Sequence, residues 1–262
     1  MKHKFLILAW AAMVVALASC SNEEEKTENE EEKTEEVVDE PVTEEVEFTY
    51  AQGQYSGVVL PYRKAAISAS GEGKSSLVLY LHGGTSKGTD NEVPVKEKGV
   101  ETISGYLASN HIKAMFVVPQ CPKDKSWGGS MNEVLSQLIA NCVASGTVDT
   151  GRIYLMGGSM GGSGTWSMLS AYPSLFAAAM PVAGNPAGCI AANVASTPVL
   201  TVMGTSDRIM NIDVVEAFVD QLVGLKDDAV LEIENGWTHE VTCTESYTDT
   251  RLDWLFGHTR QK

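Results

Sequence analysis

From Ser76 onward, apolar runs of strand length alternate with stretches of helical period. "SLVLYLHGG" (76–84) and "AMFVVPQCP" (114–122) are continuous apolar runs closed by glycine or proline, the pattern of buried strands. "MNEVLSQLIANCVA" (131–144) places Val134, Leu138, Ile139 and Cys142 on one helical face. "RIYLMGG" (152–158), "AAAMPVAG" (177–184) and "TPVLTVMG" (197–204) read as three more strands. "IDVVEAFVDQLVG" (212–224) is an amphipathic helix ended by glycine, and "AVLEIEN" (229–235) alternates as a last strand. "ESYTDTRLDWLF" (245–256) reads as one closing helix, and "QYSGVVLPYRKAAI" (54–67) as an antiparallel hairpin or sheet edge. This order predicts an α/β protein: a mostly parallel central sheet with helices on both faces. Sites in such sheets form at the carboxyl ends of the strands. Chemistry is therefore expected at Gly83 to Thr85, Gln120 to Trp127, Ser159, the loop after Gly184, Asp207 and His239.

"YLMGGSMGGSGTW" (154–166) concentrates glycine around Ser159. Three readings compete: a phosphate-binding loop, a flexible linker, or a strained turn that presents the serine. A phosphate loop requires lysine followed by Ser or Thr after its last glycine, and Gly162 is followed by Ser163-Gly164. A dinucleotide loop opens the first βαβ unit, whereas this stretch lies past mid-chain. A linker would not sit between two apolar periodic segments. "GGSMG" (157–161) fits G-x-S-x-G between a strand and the helical pattern "GTWSMLSAY", the context of a nucleophile elbow. Gly157 and Gly161 leave room beside the turn, and glycines 158, 162 and 164 suit close helix–sheet packing.

A serine needs a base held by an acid. In the fold that carries this elbow the chain order is Ser, then Asp or Glu, then His. Two histidines follow Ser159. His258 lies in the polar tail, while His239 in "NGWTHEV" follows the last strand, so His239 is the expected base. Asp207 in "MGTSDRIM" directly follows a strand and is the expected acid; Asp213 reads better as the first turn of the next helix. The oxyanion donors expected are the backbone N–H groups of Met160 and of Gly84 or Thr85 in "LHGGT" (81–85). His82, within that motif, reads as structural.

"LYLHGGTSKGTDNE", "VVPQCPKDKSWGG", "RIYLMGGSMGGSGTWSMLSAYPSLFAAAMPVAG" and "GTSDRIMN" resemble, in order and spacing, an α/β-hydrolase group. That group holds polyhydroxybutyrate-depolymerase-like enzymes, feruloyl and acetylxylan esterase-like enzymes and prolyl-oligopeptidase-like peptidases. The resemblance spans about Leu77 to Phe256. It implies a serine hydrolase with Ser159, Asp207 and His239 at the matching positions. The sequence points to no metal or cofactor, and such a mechanism needs none. Gly158 stands where the group often has a larger apolar residue, and "DRIMN" lacks the group's Val-Pro after the aspartate. The short stretch between Gly184 and Thr197 leaves little material for a lid, so an open cleft is expected. Trp127 and Trp237 lie on loops beside the expected site and are candidates for stacking on a sugar or aromatic acyl group, with half-buried packing as the plainer alternative.

The first twenty residues are a different kind of sequence. Lys2, His3 and Lys4 precede "FLILAWAAMVVALA", a run too short for a stable span. It ends in "LASC" (17–20), which resembles a bacterial lipobox. The expectation is a signal peptide over 1–19 and lipidation of Cys20. Residues 21–47 hold fourteen acidic residues and two lysines, so 20–47 should be a solvated tether. "SNEEEK" resembles the acidic signals that carry some lipoproteins to the outer cell surface. Residues 48–262 are then one hydrolase domain with a net charge of only −5. No basic patch interleaved with aromatics suggests nucleic acid. Cys121, Cys142, Cys189 and Cys243 permit two disulfides in an oxidising compartment. The pairings favoured are Cys189 with Cys243 and Cys121 with Cys142. The expected activity is hydrolysis of carboxylic esters on carbohydrate at the cell envelope, with an outer-membrane location and a lipid anchor. A peptidase and a silent binding lipoprotein are the alternatives. Oligomeric state has no signature in the sequence.

Overall fold

The computed structural model describes residues 46–260, apart from 69, 71, 226 and 227. The expected signal peptide, the lipidated Cys20 and nearly all of the acidic tether fall outside the described residues. Strands β1 (Thr49–Tyr55) and β2 (Val58–Ile67) form an antiparallel hairpin. Its two-residue turn is Ser56-Gly57, both with positive φ, the geometry that matches strand twist. The chain continues through β3 (Ser75–Leu81), α1 (Lys98–Ser109), β4 (Ala114–Pro119), α2 (Ser130–Ala144), β5 (Val148–Gly158) and α3 (Met160–Ala171). It ends with β6 (Ala178–Val182), α4 (Ala191–Val194), β7 (Val199–Gly204), α5 (Ile212–Leu225), β8 (Ala229–Glu234), α6 (His239–Glu245) and α7 (Asp249–Gly257).

The eight strands make one sheet in the order β1-β2-β4-β3-β5-β6-β7-β8. The pairs from β4 to β8 are parallel; those of β2 with β1 and β4 are antiparallel. Alternating residues of each central strand enter opposite cores. Leu77, Leu79 and Leu81 of β3 pack on one face with Leu135 and Leu138 of α2, Trp166 of α3 and Phe218 of α5. Val78 and Tyr80 pack on the other with Val100, Ile103 and Leu107 of α1 and Leu252 and Leu255 of α7. Both faces are thus covered, as a parallel sheet requires.

Two elements depart from the sequence reading. Helix α1 was not expected, because Gly99 and Gly105 dilute its period. Gly99 lies against Tyr80 and Tyr247, where a Cβ would meet the Tyr247 ring at 2.7 Å. The single closing helix is two helices. Tyr247 between them turns into the second core, edge-on to Tyr80 with ring centroids 5.8 Å apart, and Thr248 occupies the N-cap position of α7.

Candidate active site

Ser159 is the only residue between β5 and α3, and it takes φ 58 and ψ −116. For a residue with a Cβ this is a strained conformation. It is held by the Ser159 N–H donating to the Val182 carbonyl of β6 at 3.0 Å. Immediately after it, Gly161 passes so close to β3 that a Cβ there would collide with the Leu81 carbonyl. The turn projects Oγ at the carboxyl ends of the strands, the expected place for a site in this kind of sheet.

The loops that carry Asp207 and His239 are zipped together. Thr205 N–H donates to the Glu234 carbonyl (2.9 Å), Ser206 N–H to the Trp237 carbonyl (3.0 Å), and Gly236 N–H to Thr205 Oγ1 (2.7 Å). This fixes Asp207 against His239, which is the first residue of α6 behind the N-cap Thr238. Asp207 Oδ2 lies 2.7 Å from His239 Nδ1, and His239 Nε2 lies 2.7 Å from Ser159 Oγ. The Asp207 side chain is 1% exposed; its Oδ1 accepts from the Ile209 and Met210 N–H groups at 2.8 and 2.9 Å. A carboxylate so placed requires a proton on Nδ1, leaving Nε2 free to accept from the serine.

Ser159 and His239 open onto a cleft of about 550 Å³, lined also by Gly84, Thr85, Glu97, Ile209 and Cys243. Gly84 and Thr85 are exposed and begin a single 3-10 turn, Gly84–Ser86. Met160 is the first residue of α3. N–H groups at the start of a helical turn have no acceptor within it. His82 is fully buried: Nε2 accepts from the Cys121 N–H (2.9 Å), so Nδ1 carries the proton and donates to the Gly83 carbonyl (2.6 Å). Burial pulls its pKa down to about 4.

Three expectations are corrected. Trp127 does not line the cleft: it is 6% exposed, its Nε1–H donates to the His82 carbonyl at 3.0 Å, and it fills the space left by Gly164. Trp237 packs half-buried on the second core beneath the Arg251 guanidinium, 5.8 Å from ring centre, and also stays out of the cleft lining. Neither favoured disulfide forms; all four cysteines among the described residues are free. Cys189 packs on the first core and Cys243 on the second, so the sheet separates them. Cys121 is fixed behind β4 by its N–H to His82, while Cys142 lies in the last turn of α2. Burial pushes these thiols up, Cys121, Cys142 and Cys189 to about 11 and Cys243 to about 12.

Two cleft residues escaped the sequence reading. Cys243 lies one helical turn after His239, its Sγ 3.9 Å from Nε2. The i, i+4 spacing would have placed it there had the cap at Thr238 been read as a helix start. It also touches the space beside Gly158: a Cβ on Gly158 would lie 3.4 Å from its Sγ. Glu97 has no spacing signal at all, because its partners lie on a different element.

This fold, with its elbow at Ser159 and its Asp207 and His239 loops at the strand ends, is the α/β-hydrolase fold. The model of the Dienelactone hydrolase family matches residues 122–251, just under half of the chain. Among curated proteins, it is 35% identical over 128 residues to poly(3-hydroxyalkanoate) depolymerase C of Paucimonas lemoignei, over 43% of this chain and 28% of that protein. The chain therefore spans little more than a quarter of that relative's length. Among solved structures, a thermostable esterase superposes with a TM-score of 0.71 at 23% identity, covering 81% of this chain and 63% of the other. The feruloyl esterase module of Clostridium thermocellum, solved with sinapinate, superposes with a TM-score of 0.58 at 12% identity, covering 79% and 89%.

Proposed function

We propose that the chain hydrolyses carboxylic esters through an acyl-enzyme on Ser159, with acyl groups on carbohydrate as its substrate class. The observation that carries this reading is the unbroken series Asp207–His239–Ser159, with 2.7 Å at each link. Ser159 Oγ attacks the ester carbonyl carbon while His239 Nε2 takes its proton. The tetrahedral oxygen accepts from Met160 N–H and from Gly84 or Thr85 N–H, with the amino end of α3 adding favourable field. His239 then gives its proton to the departing alcohol oxygen. Water, deprotonated by the same nitrogen, releases the acid and restores the serine.

The depolymerase relative and the match to the Dienelactone hydrolase family support ester over amide as the bond cleaved. The apolar Ile209 at the rim, 69% exposed, offers an acyl group a surface. Between Gly184 and Thr197 only a loop and the four-residue α4 follow the sheet, which favours a cleft open to decorated polymers. The apolar leader ending in "LASC" and the acidic stretch after it support export, lipidation of Cys20 and placement in the outer membrane, with the domain facing outward.

The test is turnover by the purified protein and its Ser159→Ala variant. The panel is 4-nitrophenyl acetate and butyrate, methyl ferulate, acetylated xylan and a proline-containing peptide anilide. The expected result is ester turnover and fluorophosphonate labelling, both abolished by the substitution. Peptide-only turnover would transfer the site to peptidase chemistry, and neither turnover nor labelling would leave a binding protein.

A further inference from the structure

Glu97 is the residue just before α1, at its N-cap, yet its side chain makes no capping bond. Its carboxylate reaches back to the end of β3. There Oε1 accepts from Gly83 N–H at 3.0 Å and from Ser86 Oγ at 2.5 Å, while Oε2 accepts from the buried Tyr80 hydroxyl at 3.0 Å. Gly83 and Ser86 bracket Gly84 and Thr85, and the turn is closed by Ser86 N–H to the Gly83 carbonyl at 3.2 Å. Gly83 N–H is taken by Glu97 and Ser86 N–H by the Gly83 carbonyl, so the N–H groups left without an acceptor in this turn are those of Gly84 and Thr85, two residues that line the cleft. Glu97 Oε1 and Ser159 Cβ both lie within 4 Å of the point a Cβ on Gly83 would occupy, at 3.7 and 3.9 Å. A half-buried carboxylate is costly unless its lone pairs are filled, and here three donors fill them, two from loop 83–86 and one from Tyr80 of β3. Burial still holds its pKa above the usual carboxylate range.

We propose that Glu97 is a positioning residue: its carboxylate clamps loop 83–86 so that Gly84 and Thr85 present their N–H groups to the oxyanion formed at Ser159. The inference rests on the serine hydrolase reading. A clamp of this kind acts in the transition state more than on the bound ester, so its loss lowers kcat and spares KM.

The experiment compares kcat, KM and Tm of the wild type with Glu97→Ala and Glu97→Gln on 4-nitrophenyl acetate, with Ser159→Ala alongside. Removing one oxyanion donor outright costs about 10²–10³ in kcat, so loosening its loop should cost about 10–100-fold. Glu97→Ala is expected to lose that much with KM within about twofold. Glu97→Gln keeps an acceptor for Gly83 N–H and an amide for the Tyr80 oxygen, and should recover to within about threefold of wild type. A kcat within twofold of wild type in Glu97→Ala, a change confined to KM, or equal losses in both variants would each overturn the clamp. If Glu97→Ala does not fold, Ser86→Ala, which removes one of the three donors, replaces it; it should lower kcat severalfold, and an unchanged kcat is the refuting result. Turnover that survives in Ser159→Ala would instead remove the underlying serine reading.

Discussion

Asp207→Asn isolates the chemical role of the acid from its structural one. The wild-type carboxylate has two faces: Oδ1 holds the Ile209 and Met210 N–H groups, and Oδ2 faces His239 Nδ1. An asparagine of the same shape has one acceptor, and the two backbone donors claim it, since an NH₂ turned toward them would set donor against donor. Its NH₂ must then point at Nδ1, which becomes the acceptor. The imidazole proton moves to Nε2, 2.7 Å from Ser159 Oγ, so the base is blocked while every heavy atom stays in place. In a serine triad this wrong tautomer costs about 10⁴ in kcat, or about 5.4 kcal/mol of transition-state stabilisation. The fold keeps its loop bonds, so Tm should move by only a few degrees. Steady-state kcat on 4-nitrophenyl acetate, paired with thermal melts, reads both quantities. More than a tenth of wild-type kcat at unchanged Tm would refute the assignment of Asp207 as the group that sets the His239 tautomer.

Gly158→Ala should keep kcat within about threefold, because its Cβ would make only an ordinary 3.4 Å contact with Cys243 Sγ. Gly158→Leu should lose about tenfold or more, and adding Cys243→Gly should restore most of that; no restoration would show that the two positions do not share the space. A Cys20→Ser variant denatured without reductant should titrate as four free thiols with Ellman's reagent, and two or fewer would reinstate a disulfide. The native protein should react slowly, since burial holds these thiols at about 11 to 12. For His82, the folded pKa of about 4 lies below the ordinary value of 6.5. Between those values the unfolded chain takes up a proton that the folded chain refuses. Stability is therefore full above about 6.5 and falls as pH drops toward 4, by about 3 kcal/mol. Wild-type Tm should fall more steeply across this window than that of His82→Gln, and parallel curves would contradict the assignment.

The sequence exposed the parts of this site that sit at sheet termini. Strand ends are punctuated by glycine and proline, and the parallel sheet brings their following residues together, so Ser159, Asp207 and His239 could be picked from order alone. The hairpin and the buried strands were legible for the same reason: continuous apolar runs with sharp ends. What stayed hidden depends on partners remote in sequence. Trp127 sits on a loop near the strand ends, where an aromatic looks available to substrate. The structure instead uses it as a wedge between His82 and Gly164, and only the packing of β3 against α3 reveals that.

Helix α1 and the break at Tyr247 share one cause. Gly99 weakens the helical signal but admits the rings of Tyr80 and Tyr247, so a local propensity is given up for a tertiary contact beneath the cleft. The same contact decides where Glu97 goes. With Gly99 two residues on pressed against Tyr80, the start of α1 lies over the end of β3, and Glu97 at that junction lands beside the loop that carries Gly84 and Thr85. A long acid at an N-cap position, where short side chains normally bond the first turn, leaves its own helix uncapped. Its carboxylate is spent on another element's backbone, and that mismatch with local preference is the trace a positioning role leaves in a chain read one segment at a time.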